Sequence, residues 1–286
     1  MALANCNSRA PLITPIRGCS GRHPACLYAV GLITGALLVF LGCLSPDRAW
    51  ASSAGAASEF AAYVQTSFKE AQARYQIAPA ETNAAWQLAR ACFDLADLAT
   101  NKTQRAALAD EGIAACRQAL ARESNSAPAH YYLGMNLGQL AQTRGLSALG
   151  LVNQMERAFS RARELDERFD WAGPDRNLGL LYRDAPSVVS VGSRKKAREH
   201  LGRAVKLAPQ YPENRLNLAE ACLHWGDLRG SRRELAALEL VWPLARSNLT
   251  GVAWIGSWSD WEPRLQRLKR KLEAAPKALD APRQKH

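Results

Sequence analysis

The 286-residue sequence predicts an all-α solenoid of stacked helix pairs, closed at its C-terminal end by a capping helix. Three observations predict it. Hydrophobic residues make up 48% of the chain, Ala and Leu dominate, and alternating Val, Ile and Thr runs are nearly absent. Four similar helical lines recur, each followed by a second helical stretch. Prolines repeatedly stop good helices that restart at once, as at Pro209 and Pro212.

Residues 1–51 read as a signal peptide or an N-terminal membrane anchor. Arg17, Arg22 and His23 precede Leu27–Leu44, 18 residues without a charge. Three fates stay open: an uncleaved anchor, a lipoprotein and soluble export. Phe40-Leu41-Gly42-Cys43 looks like a lipoprotein signal with Cys43 as the lipidated residue. Ala49-Trp50-Ala51 fits the small-x-small cleavage rule. All three fates place the bulk of the protein in the periplasm or cell envelope, with membrane contact through the N-terminus. Residues 52–80 read as a small-residue linker, "ASSAGAAS", and a first helix.

Residues 81–245 carry the repeats. The first helices read "WQLARACFDLA" from Trp86, "HYYLGMNLGQLA" from His130, "DRNLGLLYRDA" from Asp175 and "RLNLAEACLHWG" from Arg215. The second helices place apolar residues at helical spacing, as in Met155, Phe159, Ala162 and in Ala197, Leu201, Ala204. This pattern resembles the tetratricopeptide repeat. Unit three matches through Leu178, Gly179 and Tyr182, then Ala197, Leu201, Ala204 and Pro209. The small residue after Leu lets two helices approach closely, and each pair buries its face only against its neighbours. Glu213 and Asn214 open the fourth pair, where an acidic group complements the helix dipole.

Gly134 to Gly179 spans 45 residues and Gly179 to Ala219 spans 40, against about 34 for a bare repeat. The extra residues, "TRGLSALGL" and "RDAPSVVSVGS", are expected between the two helices of a pair, on the side that often binds. "SALGLVNQMERAF" is apolar enough to line a pore or to be a buried helix start.

A narrower likeness covers Leu178–Asp227. Leu181, Tyr182, Ala185 and Pro186, then Ser190 and Gly192, then Lys195, Lys196 and Ala197, then Pro209, Tyr211, Pro212, Glu213, Asn214 and Arg215 form a line of motifs. It resembles the T-component proteins of tripartite ATP-independent periplasmic transporters. That family is described as periplasmic lipoproteins with helical repeats around a hydrophobic pore or groove. They associate with a solute-binding subunit and can form trimers. The resemblance implies a periplasmic solute-binding protein as partner, an apolar or organic-acid ligand and a homo-oligomer. The expected function is therefore a transport accessory. The alternative is a general periplasmic protein-interaction scaffold in envelope assembly. A closed apolar channel favours the first, an open polar groove the second.

In such repeats the first helices face the concave side. Counted from Leu-Gly, the groove positions are Tyr131, Tyr132, Met135 and Gln139 in unit two. They are Arg176, Asn177, Leu180 and Arg183 in unit three, and Leu216, Asn217, Glu220 and His224 in unit four. Aromatic, Met and Arg side chains suit interfaces, and Arg176 with Asn177 suits a carboxylate or a peptide backbone. The competing reading is an ordinary solvated groove, with Tyr131 or Met135 partly in the core.

Residues 246–286 read as a capping helix and basic tail. Trp254, Trp258 and Trp261 share one helical stripe, which suits a cap, a membrane interface or an oligomer surface. The +11 charge sits on solvated helix faces, and no nucleic-acid partner is expected. Cys92, Cys116 and Cys222 lack metal or redox spacing. They read as small core residues, with a Cys92–Cys116 bridge as the alternative. Asp94 and Asp97 read as solvated. No metal, nucleotide, cofactor or nucleophile motif supports catalysis.

Overall fold

The computed structural model describes residues 47–144 and 148–275, with side chains from residue 55 onward. Cys43 and Leu27–Leu44 lie outside the described residues. Ten helices follow in order: α1 (Asp47–Ile77), α2 (Thr82–Asp97), α3 (Lys102–Arg122), α4 (Ala127–Arg144), α5 (Leu149–Leu165), α6 (Phe169–Asp184), α7 (Arg194–Leu207), α8 (Pro212–His224), α9 (Leu228–Asn248) and α10 (Val252–Ala274). Helices α2/α3, α4/α5, α6/α7 and α8/α9 are the four antiparallel pairs. Helix α1 packs on α2, and α10 packs on α8, α9 and α1.

The repeat signature works through close approach. A Cβ on Gly134 would lie 2.6 Å from the Phe159 ring, and one on Gly179 would lie 2.6 Å from Leu201 Cγ. A larger residue at either position would force the pair apart. Local signals set the ends. The Asn101 side chain accepts from Gln104 N–H and Asp227 from Gly230 N–H, both at 2.8 Å. Pro212 occupies the first turn of α8, where its missing N–H costs nothing.

Among the described residues, two large apolar clusters run through the stack beside three smaller ones. One joins Leu88, Cys92, Tyr131, Phe159, Leu178 and Ala197 under the first three pairs. The other joins Tyr211, Leu216 and Leu238 to Trp254, Trp258 and Trp261 of α10. The Trp stripe is thus an inward face: Trp261 is 1% exposed. Cys92, Cys116 and Cys222 are buried free thiols, and the Cys92–Cys116 bridge does not form.

Three expectations change. "ASSAGAAS" lies inside α1 and is not a linker. The extra residues of unit two mostly lengthen helices, since α4 runs to Arg144 and α5 starts at Leu149. Of "SALGLVNQMERAF", the part from Leu149 onward is a helix start with Leu151, Val152 and Met155 half-buried. Glu213 does stand in the first turn of α8, and its side chain is also fully buried against Arg176. Among the described residues, no helix is long and apolar enough to cross a membrane.

Candidate functional site

The expected groove positions of units two and three are mostly buried. Tyr131, Tyr132, Met135, Gln139, Arg176, Asn177 and Leu180 are all 7% exposed or less. Arg183 is half-buried and bonds Asp184. For Tyr131, Arg176 and Asn177 the reason is a polar network that welds these helices together, while Met135 and Leu180 belong to apolar clusters. Tyr131 donates to Asp170 Oδ2 at 2.7 Å, and Asn177 Nδ2 donates to the Tyr131 hydroxyl at 3.0 Å. Arg176 Nη2 donates to the same Asp170 oxygen at 2.7 Å, and Nη1 donates to Asn214 Oδ1 at 3.2 Å.

Arg176 also holds an unusual turn. Asp170, Trp171 and Ala172 are all left-handed, with φ of 50°, 51° and 61°. Each costs a non-glycine residue roughly 1–2 kcal/mol. The guanidinium grips the Asp170 and Trp171 carbonyls at 3.2 Å, and Asn214 Nδ2 donates to Trp171 O at 3.0 Å. The Trp171 ring stacks on Tyr211 at 4.9 Å between centroids. Neighbouring elements therefore over-determine the strained turn.

Glu213 lies across Arg176 from Asp170. Its Oε2 is 3.6 Å from Arg176 Nε, a charge contact too long for a hydrogen bond. Tyr211 donates to Oε2 at 3.3 Å. Burial pushes Glu213 up to about 7, although Arg176 and Arg264 pull it down. Burial raises Asp170 as well, against the pull of Arg176. Burial also opposes the Arg176 charge, but Glu213, Tyr131 and Asp170 outweigh it and hold that group above its ordinary value.

The sign for stability follows from linkage. Below the unfolded value, 4.5, Glu213 is protonated in both states and its contribution is complete. Between there and about 7 the folded state binds more protons, so that contribution declines as pH rises. The stability difference between wild type and Glu213→Gln, from urea denaturation at pH 5 and pH 8, should shift towards the variant by about 2 kcal/mol. A difference independent of pH would contradict the burial of this carboxylate.

Unit four is covered from within. Leu216 and Asn217 are fully buried, Glu220 is half-buried, and only His224 is exposed. Arg264 of α10 donates to Asn217 Oδ1 and to both Glu220 oxygens, and pairs with Asp260 at 2.9 Å. Helix α10 thus covers these positions of α8.

What remains open is a cleft of about 350 Å³ between α1, α2 and the start of α10. Phe60, Tyr63, Glu70 and Arg74 line one wall. Trp86, Gln87, Arg90 and Asp94 line the second, and Ala253, Gly256 and Ser257 the third. Asp94 and Asp97, read from sequence as solvated, are half-buried along it. Asp94 lies 3.7 Å from Arg90. The Asp170 charge and the Tyr132 hydroxyl both act on Arg90, which links the cleft electrostatically to the buried network. A second hollow of about 640 Å³ lies between Trp171, Tyr211 and the end of α9, but it carries no first-helix groove position.

None of the twelve expected positions lines the cleft. In unit one Leu88-Ala89 stands in place of Leu-Gly, so the Leu-Gly motif does not mark that unit. The offsets used for unit two, counted from Ala89, give Trp86, Gln87, Arg90 and Asp94. All four line the cleft.

Comparison with known proteins supports the fold. The chain resembles the crystal structure of a thermophilic TPR protein from Thermus thermophilus, with 19% identity and a TM-score of 0.52. The match covers 74% of this chain and 89% of that one. The chain is a tetratricopeptide-like all-α helical repeat. The family model for regulator of microtubule dynamics protein 1-3 matches residues 52–168, α1 to α5, which is less than half of the chain. Among curated proteins no match was found.

Proposed function

We propose that this protein is a non-catalytic interaction scaffold that docks a segment of a partner protein in the cleft between α1, α2 and α10. One observation carries the reading: the open cleft is lined by Trp86, Gln87, Arg90 and Asp94, at the offsets from Ala89 that the expected groove positions of unit two have from Gly134. Aromatic and Arg side chains beside carboxylates suit a polar peptide with one apolar anchor. The mixed, open lining supports a scaffold over a closed apolar channel. The matched family is named for microtubule regulation, and its match includes two of the three cleft walls.

The motif line over Leu178–Asp227 favours a second, narrower reading, in which the partner is the solute-binding protein of a periplasmic transporter. Under it the chain sits at the cell envelope, tethered or exported through its N-terminal segment, and self-associates.

One experiment addresses both. The tagged full chain is used for a pull-down from solubilised native envelopes, beside a Trp86→Ala/Arg90→Glu variant. A Gln87→Arg variant adds bulk at a half-buried position without removing a core residue. Both variants should lose the partner by about tenfold or more; Gln87→Arg should do so while melting as cooperatively as wild type, whereas the double variant also takes Trp86 off the Tyr132 ring and is read beside its own melting curve. Recovery of a solute-binding protein with its membrane subunits supports transport, whereas envelope-assembly proteins alone leave the general scaffold. Identical capture by all three chains would sink the cleft as the binding site.

A further inference from the structure

The loop between α6 and α7 is built to present two bare valines. Val188 is 94% exposed and Val189 65%. The loop is firmly closed at its base. Ser193 N–H donates to Tyr182 O at 2.8 Å, and the Ser193 hydroxyl accepts from Lys196 N–H at 3.3 Å. Gly192 sits so tightly on the Ala185 carbonyl that no side chain would fit there. The valines are therefore held outwards by a defined turn, where burial would ordinarily be favoured.

Three exposed cations, Arg194, Lys195 and Lys196, follow in the first turn of α7. That end of a helix disfavours positive charge; Lys196 is nonetheless held by the fold, over the Tyr182 ring at 4.8 Å, whereas the Lys195 charge has no such partner. Most nearby acids are already paired, and Glu199, one turn on from Lys195, is exposed. Asp184 bonds Arg183, Asp227 bonds Arg198 at 2.8 Å, and Glu156 faces Lys196 at 3.7 Å and accepts from Tyr182. Among the described residues, Arg194 and Lys195 form no ion pair; Arg194 lies over the Trp225 ring at 5.5 Å.

Topology adds a third observation. Helices alternate in direction, so the start of α1 and the α6–α7 loop lie at the same edge of the solenoid. The apolar stretch Leu27–Leu44 immediately precedes α1 in sequence.

We infer that the Val188–Val189 tip with its Arg194–Lys196 collar is a docking point for an anionic membrane surface. The valines enter the interfacial layer and the cations face the lipid phosphates. The edge at which the chain enters α1 then faces the bilayer, and the cleft is presented at a fixed orientation. This surface is separate from the cleft, and either can fail without the other.

The test reads the loop itself, because Leu27–Leu44 can bring the full chain to any vesicle. Hydrogen exchange of residues 186–192 is measured for the full chain on pure phosphatidylcholine vesicles and on mixed phosphatidylcholine–phosphatidylglycerol vesicles. Exchange should slow only on the anionic vesicles. Val188→Asp/Val189→Asp should abolish the slowing, and Lys195→Glu should weaken it about fivefold. All three side chains are exposed, so these variants keep the fold. Equal exchange on both vesicle types, or slowing that both variants retain, overturns the proposal. Equal slowing by soluble polyglutamate without lipid also overturns it, and assigns the tip to an acidic protein partner.

Discussion

Arg176→Ala is expected to lower stability by about 3–5 kcal/mol, the cost of stranding buried charge. The Arg176, Asp170 and Glu213 side chains are all 0% exposed. Removing the guanidinium leaves two buried carboxylates without their shared cation. It also frees the Asp170 and Trp171 carbonyls from the group that holds the left-handed turn. Trp171 should then lose its stacking register on Tyr211. Urea denaturation and near-ultraviolet circular dichroism read both effects. Adding Glu213→Gln should recover part of the loss, because one of the two carboxylates then has no charge to strand. A loss below about 1 kcal/mol would show the network to be replaceable packing.

Trp261→Ala is the second large effect, at about 3–5 kcal/mol for a fully buried Trp. Trp261 meets Tyr211, Trp254 and Trp258 with ring centroids 5.4, 6.3 and 5.0 Å away. It is the centre of the contact between α10 and the last repeat. Its loss should loosen α10, release Arg264 from Asn217 and Glu220, and remove the third wall of the cleft. Hydrogen exchange across 252–274 should quicken more than across α2 to α5. Uniform quickening along the whole chain would mean that α10 is an inseparable part of the repeat core.

The helix pairs were readable in the sequence because their cause is local. Leu178-Gly179, Ala197, Leu201 and Ala204 each report one close contact between adjacent helices, and Pro209 and Pro212 mark a break that any chain must obey. The Trp254, Trp258 and Trp261 stripe likewise has a helical period, so its shared face was predictable. What it faced was not, because the path of α10 over α8 depends on contacts more than forty residues apart, such as Arg264 with Asn217. The same long-range packing turned the expected groove residues into interior ones. Gly173 and Pro174 hint at a break before unit three, but three left-handed non-glycine residues have no composition signal. They exist because Arg176 and Asn214 reach back to them. Glu213 fits a helix start in sequence and is a buried partner of Arg176 in the fold. Unit one was the reverse case. Its offsets were available, but Ala89 in the glycine position hid the alignment.

The central claim is that the cleft bearing Trp86, Gln87, Arg90 and Asp94 is where a partner docks. The most direct measurement is site-specific photo-crosslinking in native envelopes. One full-length chain carries the crosslinker at Gln87, and another carries it at exposed Ala114 on α3. The partner lost by Trp86→Ala/Arg90→Glu should be trapped from position 87 and not from position 114. Trapping from 114 alone, or equally from both positions, would contradict it.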